Sequence, residues 1–401
     1  MELLGIAVFV ILVAVVFYSN LTTGRLPNGF LNLAYGFVEK RLDLGWFPTT
    51  LDMTVVDGKT YLPQGPLPAI LLLPFAYFRK YWYGNNAGYL SVLLNLINLG
   101  SVFLIAKAVL KDKFWAFWMM MTYVFVSPYL GIAMEAVVWY QGQLTAVTFL
   151  LLSLCLYLYK RDYFWVGLCM ALAMAARLNA GLMGLFYIAI ILGETKKRLN
   201  SRVIELVKFG MPIVVILVGL GWYNFQRFGS VWESGYTKQR IYPPVTAEQR
   251  DKGWYRAENI PTNFYYYFLR GLDPVILDSH KLDEYRLRYP FFTMDPNGPG
   301  WGFFYMSPVF ILLFLRRPRG MEDWSAILTI GVILAMLMLF FVPGSRQFGP
   351  RYLNDLLPLL FLLLLKAVAE RGVGRGLKLL ILVTAAFNVW VFLSYNAVIK
   401  Y

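Results

Sequence analysis

Two aspartates five residues apart, Asp52 and Asp57, stand in the stretch Leu44 to Phe78, LGWFPTTLDMTVVDGKTYLPQGPLPAILLLPFAYF, in a polar turn between two short apolar segments. A carboxylate in such a place can take a proton from a hydroxyl, which is general-base chemistry. Asp57 lies in Val56-Asp57-Gly58-Lys59, and Asp-Gly is a turn dipeptide whose carboxylate satisfies its own backbone. Around Asp52, in Thr49-Thr50-Leu51-Asp52-Met53, the sequence has no turn or capping pattern. Its neighbours Trp46, Phe47, Leu51 and Met53 are expected to bury it, with a salt bridge to Arg25, Lys40 or Arg41 as the structural alternative. Asp52 is therefore the candidate base and Asp57 the secondary acidic candidate.

Three arginines are candidates for holding an anion. Arg346 and Arg351 stand in Gly344-Ser-Arg-Gln-Phe-Gly-Pro-Arg351-Tyr-Leu-Asn-Asp355, where Pro350 suits the first position of a helix whose N-terminal amides would join Arg351 around a phosphate. An i,i+4 pair between Arg351 and Asp355 is the ordinary alternative. Arg177 stands in an apolar hairpin, where a guanidinium costs ~2.5 to 3.5 kcal/mol unless paired, facing water or snorkelling to the interface. Tyr61, Gln64, Glu135, Gln141 and Glu233 are candidates for contacting a sugar or an acceptor. Gln141, with Gln143, serves equally as a helix-to-helix hydrogen-bonding residue, and Glu233, after Arg227, as the start of a loop.

The elements that must position these residues are membrane helices. Hydrophobic residues make up 59% of 401, the mean hydropathy is +0.56, and apolar runs recur along the chain, which together exceed what a soluble core needs. The net charge of +14 falls in short clusters between apolar runs, so it reads as topology and argues against a nucleic-acid partner. Cys155 and Cys169 both lie inside apolar runs, and His280 is the sole histidine, so histidine-based metal or triad chemistry is set aside and no metal site is assigned.

Met1 to Ser19 lacks a basic n-region and a small-x-small site, and is taken as a first span that is not cleaved. Gly29 to Leu42 puts Phe30, Leu33, Ala34, Phe37 and Val38 on one face of a helix lying on the membrane surface. Pro66 to Phe78 carries three prolines and is too short for a ~30 Å hydrocarbon layer, so it too lies in the interface.

With the basic clusters on the cytoplasmic side and the loop 20–84 outside, eleven spans follow: 2–19, 85–106, 114–132, 140–158, 162–177, 179–193, 206–225, 300–315, 325–343, 352–366 and 377–397. The fifth and sixth form a short hairpin about Arg177-Leu178-Asn179. The polar stretch 226–299 is an external segment in which Pro261 to Leu272, with five consecutive aromatics, is an interfacial helix. The expected fold is thus an all-α polytopic membrane protein, with a module over 1–225, an external loop subdomain over 226–299 and C-terminal helices over 300–401. No internal repeat is present.

Four motifs in order resemble the GT-C glycosyltransferases of bacteria, the class of the protein O-mannosyltransferases and aminoarabinose transferases. They are Asp52-x4-Asp-Gly-Lys-x-Tyr-x-Pro-x-Gly-Pro-Leu-Pro-Ala-x-Leu-Leu-Leu-Pro74, Ala176-Arg-Leu-Asn-Ala-Gly181, Asn224-Phe-Gln-Arg-Phe-Gly-Ser-Val-Trp-Glu-Ser-Gly-Tyr236 and Phe348-Gly-Pro-Arg-Tyr-Leu-Asn-Asp-Leu-Leu-Pro358. The resemblance implies a conserved-type module of seven spans, two amphipathic helices in the first external loop, and an acidic base there, which falls on Asp52. It implies a polyprenyl-phosphate sugar as donor, a lipid, glycan or protein as acceptor, and an extracytoplasmic site in the plasma (inner) membrane.

On that reading Asp52 deprotonates the acceptor hydroxyl, the anomeric carbon inverts, and Arg177 and Arg351 stabilise the departing phosphate. The chain has no adjacent acidic pair and no Asp-x-Asp, so a divalent metal is not favoured and no cofactor is expected. The alternatives are a transporter or flippase of a lipid-linked sugar, and a polymerase or ligase of lipid-linked glycans. Against the first, no matching halves appear and the charged groups gather at one face.

Overall fold

The computed structural model describes residues 1–24, 26–78, 86–194, 198–241, 244–276, 287–293, 300–344 and 347–399. Hydrocarbon cannot satisfy backbone amides, so the apolar runs close their hydrogen bonds internally as helices. Six helices among the described residues are long and apolar enough to span: α1 (Glu2–Thr23), α5 (Asn86–Leu110), α8 (Val138–Tyr159), α11 (Leu199–Phe228), α15 (Gly320–Leu339) and α17, of which Arg375–Ser394 qualifies. The chain is an all-α, multi-pass membrane protein.

The other five expected spans are shorter or broken. The third divides into α6 (Lys113–Phe125) and α7 (Tyr129–Met134) at Ser127-Pro128. The fifth is α9 (Tyr163–Ala176), and the sixth is a 3-10 run, Leu178–Met183, leading into α10 (Gly184–Gly193). The eighth pairs the short α14 (Phe303–Met306) with a 3-10 run, Pro308–Leu315. In the tenth a 3-10 turn, Arg351–Asp355, precedes α16 (Leu357–Arg371). Side-chain caps start several of these helices: Asp112 accepts from the amides of Phe114 and Trp115, and Asp162 from that of Phe164.

Each break frees carbonyls, and asparagines meet them. Asn20 and Asn95 donate to the Ala133 carbonyl at 2.7 and 3.0 Å, Asn388 to Phe125 at 2.8 Å, and Asn354 to Pro128 at 3.3 Å. The broken third segment is thereby tied to α1, α5, α17 and the 351–355 turn.

Both surface helices of the first loop are present in modified form. The helix α2 (Gly29–Val38) is capped by Asn28 and buries Phe30, Leu33 and Ala34, while Val38 is exposed. Pro66 to Phe78 becomes α3 (Leu67–Leu71) and α4 (Leu73–Tyr77), hinged at Leu72, with Leu67, Ala69 and Ala76 buried and Ile70 and Tyr77 exposed. At five residues each, these helices are far too short to cross. Between α2 and α3 a hairpin forms from β1 (Thr54–Val56) and β2 (Lys59–Tyr61).

In the stretch 226–299, α12 (Pro244–Asp251) is followed by α13 (Asn259–Phe264), which continues as a π turn, Tyr265–Leu269. The aromatic helix therefore starts earlier and stops earlier than Pro261 to Leu272. It turns Phe264 and Tyr265 outward and Tyr267 fully inward. Asn263 fixes it by donating to carbonyls at the end of α15, Met338 at 2.9 Å and Phe340 at 2.7 Å. Beyond it, β3 (Asp273–Ile276) and β4 (Leu287–Thr293) pair antiparallel.

At one end of the bundle Asp323, wholly buried, accepts from Arg316 at 2.6 Å, Lys366 at 2.7 Å and the amide of Arg319. Glu2 accepts from the Trp118 indole at 2.8 Å and pairs with Lys378, joining α1 to α6 and α17.

α9 crosses α11 closely, and a methyl group on Gly167 would lie 2.1 Å from the Phe209 carbonyl oxygen. Gly167→Ala is expected to cost about 1–3 kcal/mol through this overlap, read as a lower melting temperature in detergent. Gly219→Ala on α11, where a methyl meets open space, is expected to lower it not at all.

Candidate active site

The first loop places its two aspartates differently. Asp57 and Gly58 are the two-residue link of the β1–β2 hairpin, both left-handed at φ 49° and 72°, which is the geometry that Asp-Gly supplies most readily. Asp57 is exposed. Asp52 is also left-handed, at φ 60°, within a turn closed by the Met53 amide on the Thr50 carbonyl. The expectation that no turn surrounds Asp52 is therefore corrected.

The reason lies far along the chain. The Asp52 amide donates to the Arg240 carbonyl at 2.7 Å, and the Gln239 side chain donates to the Asp52 carbonyl at 3.0 Å. The expected apolar shielding is corrected too, since Trp46 is 85% exposed and Leu51 about half exposed; Met53 alone of the four is buried. Asp52 itself is half-buried at the rim of the loop.

Arg177 sits in extended backbone between α9 and the 3-10 run that follows. Its Nη2 lies 3.4 Å from Oδ2 of Asp355, whose side chain is 2% exposed, and its guanidinium lies over the Tyr352 ring at 5.6 Å. Arg177 is thus paired with a buried carboxylate, while 22% of its own side chain remains accessible. Arg351 lies over the rings of Tyr140 and Tyr352 at 5.5 and 5.1 Å.

The alternative i,i+4 pair of Arg351 with Asp355 is not formed. Residues 351–355 make a 3-10 turn, which rotates position five away from position one, and Asp355 faces Arg177. For the same reason no α-helical N-terminus opens at Pro350; α16 begins at Leu357. Arg346 lies outside the described residues. The turn is held by Gln143, which donates to the Arg351 carbonyl at 2.7 Å, and by Asn354, which donates to the same carbonyl at 2.8 Å.

Two tyrosines of the external segment, Tyr236 and Tyr267 on the π turn, lie in electrostatic reach of Arg177 and Arg351. Burial raises both phenols above their ordinary value, against the pull of these arginines.

Several polar atoms of this region are buried without a partner among the described residues. The donors are Nε of Arg177, Nε of Arg351 and the hydroxyl of Tyr267; the acceptors are Oδ1 of Asp355 and Oε1 of Gln143. Oε1 of Gln64 is a further such acceptor, next to Gly65, whose backbone packs on the Ala175 and Ala176 carbonyls beside Arg177. Each such atom costs about 1–3 kcal/mol, and most buried polar groups in proteins are paired. Unmet N–H and O–H donors around two guanidiniums suit an anion. Unmet carbonyl and carboxylate oxygens beside them suit hydroxyl groups.

Other sequence candidates fall in structural roles. Gln141 is fully buried and bonds with Asn28 and the Ala87 carbonyl, so it joins helices and is withdrawn as a sugar contact. Glu233 accepts from the Gly235 amide at 2.6 Å and the Thr237 hydroxyl at 2.5 Å, which spends its carboxylate on its own loop. Glu135 stands half-buried at the break between α7 and α8. Tyr61 packs its ring on Phe228 at 5.3 Å. Arg227 lies between the rings of Tyr223 and Phe228 and donates to the Leu62 carbonyl at 2.7 Å, tying the hairpin to α11. Of the Gln141 and Gln143 pair it is Gln143 that stands beside Arg351, and Asp355, Tyr352 and Tyr267 enter the site from the structure.

No protein-family model matches this chain, and no curated protein matches it in sequence. Among solved structures it is similar to ArnT from Cupriavidus metallidurans bound to undecaprenyl phosphate, with a TM-score of 0.55 and 13% identity over 93% of this chain and 62% of that one. It is also similar to the oligosaccharyltransferase of Archaeoglobus fulgidus in its apo form, with a TM-score of 0.50 and 12% identity over 98% of this chain and 54% of that one. The AglB oligosaccharyltransferase of that organism, in complex with an inhibitory peptide and a dolichol-phosphate, gives 0.50 and 11% over 98% and 55%. The chain thus has the GT-C fold and spans between about half and two thirds of the length of these proteins.

The contact of Arg177 with Asp355 generates a stability test. Asp355→Ala leaves the guanidinium without its counter-charge and is expected to lower the melting temperature in detergent more than the Arg177→Ala/Asp355→Ala double variant does. The coupling should be on the order of 1 kcal/mol, reduced by the partial exposure of Arg177.

Proposed function

We propose that this protein is a membrane glycosyltransferase that moves a sugar from a polyprenyl-phosphate carrier to an acceptor hydroxyl, at the extracytoplasmic face of the plasma (inner) membrane. The observation that carries this reading is the gathering of unmet donors and acceptors about Arg177, Arg351 and Asp355 in a GT-C fold. An anion bearing hydroxyl groups satisfies both sets. The likeness to structures holding undecaprenyl phosphate and dolichol-phosphate supports a lipid phosphate as the anion.

In this mechanism the phosphodiester of the donor lies against Arg177, Arg351 and Tyr267, and its sugar hydroxyls donate to Gln143, Gln64 and Asp355. Asp52 takes the proton of the acceptor hydroxyl as that oxygen bonds to the anomeric carbon from the face opposite the phosphate. The bond from the anomeric carbon to the phosphate oxygen breaks with inversion. The polyprenyl phosphate leaves with the electron pair, its added charge met by the two guanidiniums in a site of low dielectric. A phosphate needs no protonation to depart, so one base is enough. The reading requires no metal and no cofactor.

Proteoliposomes given a radiolabelled undecaprenyl-phosphate hexose and candidate acceptors test the reading by thin-layer separation of products. Movement of intact donor across the bilayer without transfer would make the protein a flippase instead. Asp52→Asn is expected to lower turnover by about 100-fold or more while leaving undecaprenyl phosphate binding intact, with Asp57→Asn close to wild type. An Asp52→Asn variant as active as wild type removes Asp52 from the mechanism. Arg177→Ala and Arg351→Ala are each expected to weaken undecaprenyl phosphate binding by about tenfold or more, as loss of one hydrogen bond to a charged group does.

A further inference from the structure

The strap Glu233 to Arg240 leaves the end of α11 and runs across the first loop. It meets the Asp52 turn through the main-chain bonds of Asp52 to Arg240 and of Arg240 to Met53, at 2.7 and 2.9 Å, and through the Thr54 hydroxyl on the Gly235 carbonyl at 2.7 Å. The Gln239 side chain adds the bond to the Asp52 carbonyl at 3.0 Å, across 187 residues. The strap is itself braced: Glu233 accepts from Gly235 and Thr237, and Arg227 donates to the Ser234 carbonyl at 3.4 Å.

These bonds bear on a strained residue. A left-handed φ costs a side-chain-bearing residue about 1–2 kcal/mol, although aspartate tolerates it better than most. Such a conformation persists where the surroundings over-determine it. The Asp52 amide and carbonyl are both held by the strap, which fixes the peptide planes on either side of the Cα and with them the direction of the Cα–Cβ bond. The two main-chain bonds do not depend on the side chains that flank them, and the side chain that holds the Asp52 carbonyl is that of Gln239.

We infer that Gln239 is a positioning residue for Asp52: by holding the Asp52 carbonyl it keeps the carboxylate aimed for proton transfer, so that the external segment sets the geometry of a base carried by the first loop. This rests on the reading of Asp52 as the base. Tyr236, three residues earlier on the strap, lies in electrostatic reach of Arg177 and Arg351, so the same strap borders the anion cluster.

The test compares Gln239→Met, of similar length and without a donor, with Gln239→Lys, which retains an N–H donor. Hydrogen exchange is followed on the peptide containing Asp52, and turnover on a radiolabelled undecaprenyl-phosphate hexose. Gln239→Met is expected to speed exchange at Asp52 and lower kcat, each about tenfold, as loss of one hydrogen bond does. Its donor KM and its Kd for undecaprenyl phosphate should stay within about twofold of wild type. Gln239→Lys is expected to recover most of both losses. Wild-type exchange in Gln239→Met overturns the inference, as does an equal loss in both variants that tracks a fall in melting temperature. Failure of the wild type to bind undecaprenyl phosphate would instead overturn the proposed function, and the exchange comparison would still decide whether Gln239 holds Asp52.

Discussion

The 3.4 Å contact between Arg177 and Asp355 joins residues 178 positions apart, each at the end of an apolar segment. A guanidinium there requires a counter-charge or water, and a carboxylate as buried as Asp355 requires a cation. Each settles the other, and the ends of α9 and α16 are thereby held together. The pairing is long and single-pronged, so it leaves Nε of Arg177 and Oδ1 of Asp355 unmet. An arrangement that neutralises charge without exhausting hydrogen-bonding capacity is stable enough to fold and still open to a polar ligand.

That compromise depends on an unusual local backbone. A regular helix through 350–366 would put Asp355 one turn above Arg351 on the same face, where the two would cancel. The 3-10 turn prevents this, and it is held from outside by Gln143 and from within by Asn354. Asn354 also reaches the Pro128 carbonyl, at the point where proline interrupts the third segment. The break between α6 and α7 is thus one of the supports that place the site, and the asparagines around it supply the hydrogen bonds that lipid cannot.

Much of this was legible in the chain. Apolar runs and basic clusters give the eleven segments, the insufficient length of Pro66 to Phe78 excludes a twelfth crossing, and Asp-Gly gives the hairpin at Asp57. The isolated cost of a buried guanidinium marks Arg177. What escaped the sequence depends on partners distant in it. Nothing near Asp52 announces a turn, because the bonds that make it come from Gln239 and Arg240. Nothing near Asp355 announces its partner, because local spacing favours Arg351. Gln141 and Gln143 look alike in sequence, yet one lies among helices and the other on the site, because two residues along an α-helix differ by about 200° and so face nearly opposite sides. Tyr267 is hidden among five consecutive aromatics, and the π turn decides which of them points inward.

The bond between Glu2 and Lys378 has a bearing on biogenesis. An acid in the first turn of α1 acquires its cation from α17, 376 residues later. At translation rates of 5–20 residues per second this interval is roughly 20 to 75 seconds. During that time the nascent first helix has its carboxylate at the membrane border without its eventual ammonium partner. This contact between α1 and α17 consequently closes only once α17 has been made, much as a clasp shuts a bracelet.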